Sequence, residues 1–362
     1  MLDSFHIIAE KIRSYISKSK GTIEIESESF NRLARELFKF QFDNNLPYRR
    51  FCERRGISPQ ISNYTEIPAI PATAFKEFDL SVFSTELRTR VFHSSGTTLQ
   101  KPSRHFHSAD SIRLYEDSLA PWFKHFVLPD LDQIRLISLT PRANEAPNSS
   151  LVHMFETVTA RFGDAYSAFF GHISREGAWD IDFEALLKFI SESQESGVPL
   201  LLCGTAFSFV HLCDELGSRT ITLPTHARIF ETGGYKGRSR SLPKEQLHAL
   251  ISARLGVSTA MIICEYGMSE ISSQAYDRVA GKSTPRLFRF PHWVRVEFIS
   301  PETLLPVPPG EPGLIRIYDL ANAGSVMAIQ TEDFGRSLED GFELLGRAAL
   351  AESRGCSLMS LE

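Results

Sequence analysis

The 362-residue chain carries a formal net charge of −5, with 42% hydrophobic and 23% charged residues. That balance fits a soluble globular protein of one large or two moderate domains, and it gives no electrostatic reason for nucleic-acid binding. Five scattered cysteines without CxxC spacing argue against a zinc site or a disulfide framework. No apolar run approaches the ~20 residues of a membrane span, and the N-terminus lacks a signal-peptide core, so a reducing cytoplasm is the expected compartment.

Residues 1–60 read as helical, with Phe30, Leu33, Leu37, Phe38 and Phe40 recurring near helical spacing. Ser27, Glu28 and Ser29 are start signals for that helix. Pro68 and Pro71 then impose an extended segment. Residues 90–92 read as a strand. After it comes a stretch, His93 to Ser103, holding five hydroxyl residues (Ser94, Ser95, Thr97, Thr98, Ser103) with Gly96 and Lys101. Inward backbone N–H groups, hydroxyl donors, a glycine and a lysine suit a phosphate. The stretch is not the GxxxxGK[ST] loop, so that mechanism is not implied. The competing reading is a Ser/Thr-rich surface turn.

A helix is expected from about 109 to 126, then a strand at 134–139 and a helix at 149–162. A strand at 165–170, a helix at 183–193, a strand at 199–203 and a helix at 206–216 follow. A strand at 227–231, a helix at 243–255 and a strand at 261–264 complete the series. This alternation predicts an α/β fold with a substantially parallel sheet. Beyond about residue 285 the pattern changes. Residues 293–298 and 314–318 alternate around a Pro/Gly-rich connection, which predicts a small antiparallel β subdomain. The expected organisation is an α/β core over 1–285, a β subdomain over 286–345 and a short tail over 346–362.

Four further segments follow the hydroxyl-rich loop in order. They are Glu231-Thr232-Gly233-Gly234-Tyr235, Cys264-Glu265-Tyr266-Gly267-Met268-Ser269-Glu270, Gln330 to Arg336 around Asp333, and Leu345-Gly346-Arg347. This ordered set resembles the adenylate-forming superfamily of acyl-CoA synthetases, luciferases and peptide-synthetase adenylation domains. The short length and the segment Ile67-Pro68-Ala69-Ile70-Pro71-Ala72-Thr73-Ala74-Phe75-Lys76 narrow the likeness to the LuxE-type acyl-protein synthetases.

The resemblance implies ATP and Mg²⁺ as reactants, a carboxylic acid, fatty or aromatic, as substrate, and a protein partner such as an acyl reductase or a carrier. It implies that Ser94, Ser95, Gly96, Thr97, Thr98 and Ser103 cradle phosphates, with Lys101 as a point charge. It implies that Gly233, Gly234 and Tyr235 lie against adenine and that Tyr266 stacks on it after the strand, with Gly267 in the same motif. Ser269 would touch the α-phosphate and Glu270 would hold Mg²⁺, a role that suits a carboxylate. Asp333 would accept the ribose hydroxyls. Arg347 would bind ribose or phosphate, with a surface ion pair as the alternative. Leu99 and Glu332 depart from the glycines common in larger relatives. The chain ends 15 residues after Arg347, so the lid domain of larger relatives, with its lysine, is expected to be absent.

Cys356 sits in the tail beside Arg354, and LuxE-type enzymes pass the acyl group to a cysteine near their own C-terminus. A thiolate there would attack an acyl adenylate. Cys203, Cys213 and Cys264 fall in apolar patterns and read as core. Phe207, Phe209 and His211 read as pocket wall or helix core. The resulting expectation is acid activation followed by transfer to a protein thiol. The alternatives are direct loading of a carrier protein or amine, and a silent nucleotide- or acyl-binding subunit.

Overall fold

Helical periodicity at the N-terminus becomes α1 (Leu2–Ser17), α2 (Ser27–Asn44) and α3 (Leu46–Glu53) in the computed structural model, which describes residues 2–18, 27–94, 101–234, 242–283 and 285–347. Helix α2 buries Phe30, Leu33, Leu37 and Phe38 along one stripe. Asn45 caps α3 by accepting from the Tyr48 amide, and Pro47 sits in its first turn, where a missing N–H costs nothing. The extended Pro segment becomes β1 (Ile70–Pro71), followed by the single turn α4 (Ala74–Glu77).

The hydroxyl-rich stretch joins β2 (Arg90–His93) to β3 (Arg104–His107), which pair antiparallel as a hairpin. The sequence reading placed no strand at 104–107. Its inward positions are His105 and His107, so the alternation lacks the apolar face that marks a strand. Helix α5 (Ala109–Val127) starts at a capping box made by Ser108 and Ser111.

The chain then lays down β4 (Arg135–Ser138), α6 (Ser150–Phe162), β5 (Ala168–Phe169), a small hairpin of β6 (Gly171–Ile173) and β7 (Trp179–Ile181), and α7 (Phe183–Ser196). It continues through β8 (Leu200–Thr205), α8 (Ala206–Leu216), β9 (Arg228–Thr232), α9 (Lys244–Leu255), β10 (Ile262–Tyr266) and β11 (Ala275–Tyr276). These strands form a six-stranded sheet in the order β11-β10-β9-β8-β4-β5, parallel except for β11. Every residue of β8 and β9 is buried, as expected of parallel strands covered on both faces. Phe230 and Ile263 meet Phe123 and Phe155 of α5 and α6 on one face. Ile229 and Ile262 meet Phe209 of α8 and Ile251 of α9 on the other.

The predicted antiparallel run forms β12 (Val294–Ile299), β13 (Pro312–Asp319), β14 (Ala328–Leu338) and β15 (Gly341–Arg347). The first half of β14 also pairs in parallel with β1, through Ile70 and Ile329, and its second half pairs with β15. Gln41 of α2 binds the β13–β14 connection, donating to the Asn322 and Ala323 carbonyls at 3.0 and 3.2 Å and accepting from the Met327 amide at 3.0 Å.

Asp319, at the end of β13, binds the turn that follows β10. It accepts from the Ser272 amide at 2.9 Å, the Ser273 hydroxyl at 2.8 Å and the Ala321 amide at 2.9 Å. Burial raises its carboxyl to about 6, against the pull of those hydrogen bonds. Replacing it by alanine strands three buried donors, each worth about 1–3 kcal/mol. Asp319→Ala is therefore expected to lower the urea midpoint sharply, while Asp319→Asn, which keeps one acceptor, costs less. Equal midpoints for Asp319→Ala and wild type would refute this anchoring.

Candidate active site

The base of the hydroxyl-rich loop is closed by its own serines. Ser94 N–H donates to the Ser103 carbonyl at 3.4 Å, and Ser103 N–H donates to Ser94 Oγ at 3.0 Å. Ser103 is fully buried, and its hydroxyl lies 3.3 Å from that of Ser269, in the turn after β10. His105, two residues on, meets the Ser269 carbonyl at 2.7 Å through Nδ1. A carbonyl can only accept, so Nδ1 carries the proton and Nε2 is bare. That Nε2 is buried without a partner. Burial lowers His105 to about 4, so the ring is neutral near pH 7. The His107 ring lies 4.1 Å from it, centroid to centroid, tilted by 49°, and meets the Ser111 hydroxyl at 3.3 Å.

Ser269 in turn donates to Glu270 Oε2 at 3.1 Å, and Asn322 Nδ2 donates to the Glu270 carbonyl at 2.9 Å. Ser269 and Glu270 are both nearly buried. A second group forms around Tyr266, the last residue of β10. Its hydroxyl donates to Asp333 Oδ2 at 2.9 Å, and its ring packs against Phe288, Phe290 and Phe342. Burial, and next the Asp333 carboxylate, push the phenol well up, so it remains a donor. Asp333 on β14 faces Arg347 across the ladder, with Arg347 Nε 3.5 Å from Oδ1. The guanidinium is 77% exposed, hence free to turn toward a ligand.

Both groups sit at the carboxyl ends of the parallel strands, where open α/β sheets present their crevices. Gly233 and Gly234, after β9, are exposed, and a Cβ on either would meet open space. Gly267 is also exposed. Ser94, Ser103, Gly233, Gly234, Tyr266, Gly267, Ser269, Glu270, Asp333 and Arg347 are thus described in or beside the crevice. Lys101 lies apart in its contacts, exposed and 3.6 Å from Glu77. Ser95, Gly96, Thr97, Thr98, Tyr235 and Cys356 lie outside the described residues. Sequence reasoning missed His105, Asn322 and Asp319, whose contacts to the turn after β10 are long-range. It named Glu231 within its segment without giving it a role; the residue is buried on β9 with His248 Nε2 at 3.2 Å.

Cys52, Cys203, Cys213 and Cys264 are buried. Burial raises Cys52 to about 12 and lifts Cys203 and Cys264 well up, so none of these three forms a thiolate readily. Among the described residues no helix is long and apolar enough to cross a membrane.

The sheet order and the crevice define an adenylate-forming enzyme fold. A 2-hydroxyisobutyryl-CoA ligase solved with 2-HIB-AMP and CoA superposes with a TM-score of 0.65 at 14% identity, over 90% of this chain and 71% of that one. ATP-bound MatB from Rhodopseudomonas palustris does so with a TM-score of 0.50 at 16% identity, over 81% of this chain and 51% of that one. Residues 15–362 match the family described as acyl-protein synthetase, LuxE, and the chain belongs to that family. It is 23% identical to a long-chain-fatty-acid–luciferin-component ligase of Vibrio harveyi, over 93% of this chain and 88% of that one. A ligase of the same description from Aliivibrio fischeri is 24% identical, over 93% of this chain and 89% of that one.

His105 gives the site an acid limit. Its ring takes a proton near pH 6.5 in the unfolded chain and only near 4 in the fold. The folded state binds fewer protons between those values, so it loses stability as pH falls through that window. Asp319, raised from 3.8 to about 6, opposes this over an overlapping range. His105→Gln keeps an N–H for the Ser269 carbonyl and removes the titration. Acid unfolding followed by circular dichroism should begin at lower pH in this variant than in wild type. An onset at the same pH would assign the acid limit to another group.

Proposed function

We propose that this crevice joins a carboxylic acid to the α-phosphate of ATP, releases pyrophosphate, and passes the acyl group to a protein thiol, with Cys356 as first acceptor. The observation that carries this reading is the convergence of three distant segments. The loop base at Ser94 and Ser103, the Tyr266–Glu270 stretch, and the Asp333–Arg347 pair meet at one set of strand ends.

In the first step a carboxylate oxygen attacks the α-phosphorus, and the bond to pyrophosphate breaks. Two anions must meet, so positioning and charge compensation supply most of the catalysis. Ser94 and Ser103 close the base of the stretch whose hydroxyls would cradle the outer phosphates. Ser269 presents its hydroxyl toward the α-phosphate while its carbonyl is fixed by His105. Tyr266, Gly233 and Gly234 flank the adenine, and Asp333 takes the ribose hydroxyls with Arg347 beside it. In the second step a thiol sulfur attacks the acyl carbon, the bond to AMP breaks, and the thiol proton is lost.

Glu270 fits a Mg²⁺ role. It is a lone carboxylate with one hydroxyl partner, and no group of three or more His, Cys, Asp or Glu ligands exists among the described residues. Mg²⁺ is commonly held by one or two carboxylates, with phosphates and water completing its shell. When bound there it would supply charge neutralisation between the phosphates.

The test is pyrophosphate release from ATP and Mg²⁺ over a panel of fatty and aromatic acids, followed by intact-protein mass spectrometry. Glu270→Gln is expected to lower release about 100-fold with little change in melting temperature. An unchanged rate would move the metal elsewhere. Cys356→Ser is expected to keep acid-dependent release and to lose the covalent acyl mass. A persistent adduct on that variant would place the acceptor on another residue.

A further inference from the structure

Ser103 and His105 stand two residues apart at the start of β3, and both side chains end on one residue, Ser269. Side chains two apart share a face of an extended strand. Ser103 Oγ lies 3.3 Å from Ser269 Oγ, and His105 Nδ1 donates to the Ser269 carbonyl at 2.7 Å. Ser103 and His105 are both buried. The imidazole settles where the backbone of Ser269 sits. The Ser103 hydroxyl bears on where the Ser269 side chain points.

Proton count gives the direction of the hydroxyl contacts. Ser269 Oγ donates to Glu270 Oε2 at 3.1 Å. A hydroxyl has one proton and two lone pairs. With its proton on Glu270, Ser269 can only accept from Ser103. Ser103 is therefore the donor, and the hydrogen bonds run in one direction, from Ser103 to Ser269 to Glu270. All three residues are buried.

The hairpin does not need this hydroxyl. Ser103 closes the loop base with its backbone, donating its amide to Ser94 Oγ at 3.0 Å and accepting from the Ser94 amide at 3.4 Å. Alanine would keep both bonds. Among the described residues, the Ser103 hydroxyl serves only Ser269, 166 residues away.

We infer that Ser103 is a positioning residue for adenylation: its buried hydroxyl holds Ser269 Oγ so that the Ser269 proton meets the α-phosphate, and Ser103 itself makes no contact with ATP. This rests on the adenylation reading of the crevice. With Ser103 donating to it, the Ser269 oxygen keeps its place while its proton turns from Glu270 to a phosphate oxygen. A hydroxyl that accepts one hydrogen bond also donates a stronger one. Donors fixed before the reaction stabilise the charge that develops during it. Without Ser103 the Ser269 hydroxyl would be free to turn among its staggered rotamers.

The experiment is a double-mutant cycle on Ser103 and Ser269, read by pyrophosphate release with a saturating straight-chain fatty acid and varied ATP. Ser103→Ala should lower kcat about tenfold and leave the KM for ATP near that of wild type, the pattern of an interaction used only in the transition state. In a Ser269→Ala background, Ser103→Ala should cost nothing further, since it acts through the group already removed. Thermal melts of the single and double variants establish that they fold. Three results would each overturn the positioning role and leave adenylation standing: an unchanged kcat in Ser103→Ala, a raised KM for ATP with kcat intact, or effects of the two alanines that multiply. No release by wild type with any acid would overturn the adenylation reading, and this one with it.

Discussion

The crevice depends on a turn, residues 267–274, that lies between the two large sheets. Its polar groups find their partners elsewhere. Asp319 and Asn322, from the end of β13 and the connection after it, take the amide and hydroxyl of Ser272 and hold the Glu270 carbonyl. Trp293 Nε1 and Asp319 hold the Ser273 hydroxyl. His105 holds the Ser269 carbonyl from the hairpin. The turn is thus fixed by groups remote from it in sequence, and the hydroxyl of Ser269 and the carboxyl of Glu270 inherit that rigidity. Side chains used for binding or chemistry need such support, since a slack of about 1 Å is enough to lose it.

The two core faces of the sheet were legible in the sequence because buried parallel strands are rich in apolar residues. The run at 199–203 is apolar throughout, and Ile229 and Phe230 mark the run at 227–231 despite buried Arg228 and Glu231. The hairpin strand β3 was not legible, since its buried positions are histidines. Its reason for being buried, the Ser269 carbonyl, lies 164 residues away. Asp319 and Ser272 are separated by 47 residues, and Gln41 and Asn322 by 281. No local pattern reports contacts of that range. The grouping of Tyr266 with Asp333 was available only through resemblance, because a tyrosine and an aspartate 67 residues apart carry no mutual signal.

Three acids at the strand ends divide the crevice into two environments. Asp333 has a phenol and a guanidinium, and Glu270 has a serine hydroxyl. Both are equipped to meet hydroxyls, phosphates or a cation. Burial, with the Glu231 carboxylate adding to it, raises the Glu265 carboxyl.

The same desolvation decides which sulfur is excluded. The thiols of Cys203 and Cys264 are buried in the sheet beside the crevice, yet burial raises both far from thiolate character. Cys264 also lies near the Glu231 carboxylate, which opposes ionisation further. A thiol that accepts an acyl group must approach the acyl carbon and shed its proton, and a sulfur locked in a strand does neither. The strand cysteines therefore serve as small apolar packing, and the acceptor must be a sulfur that can enter from outside the sheet.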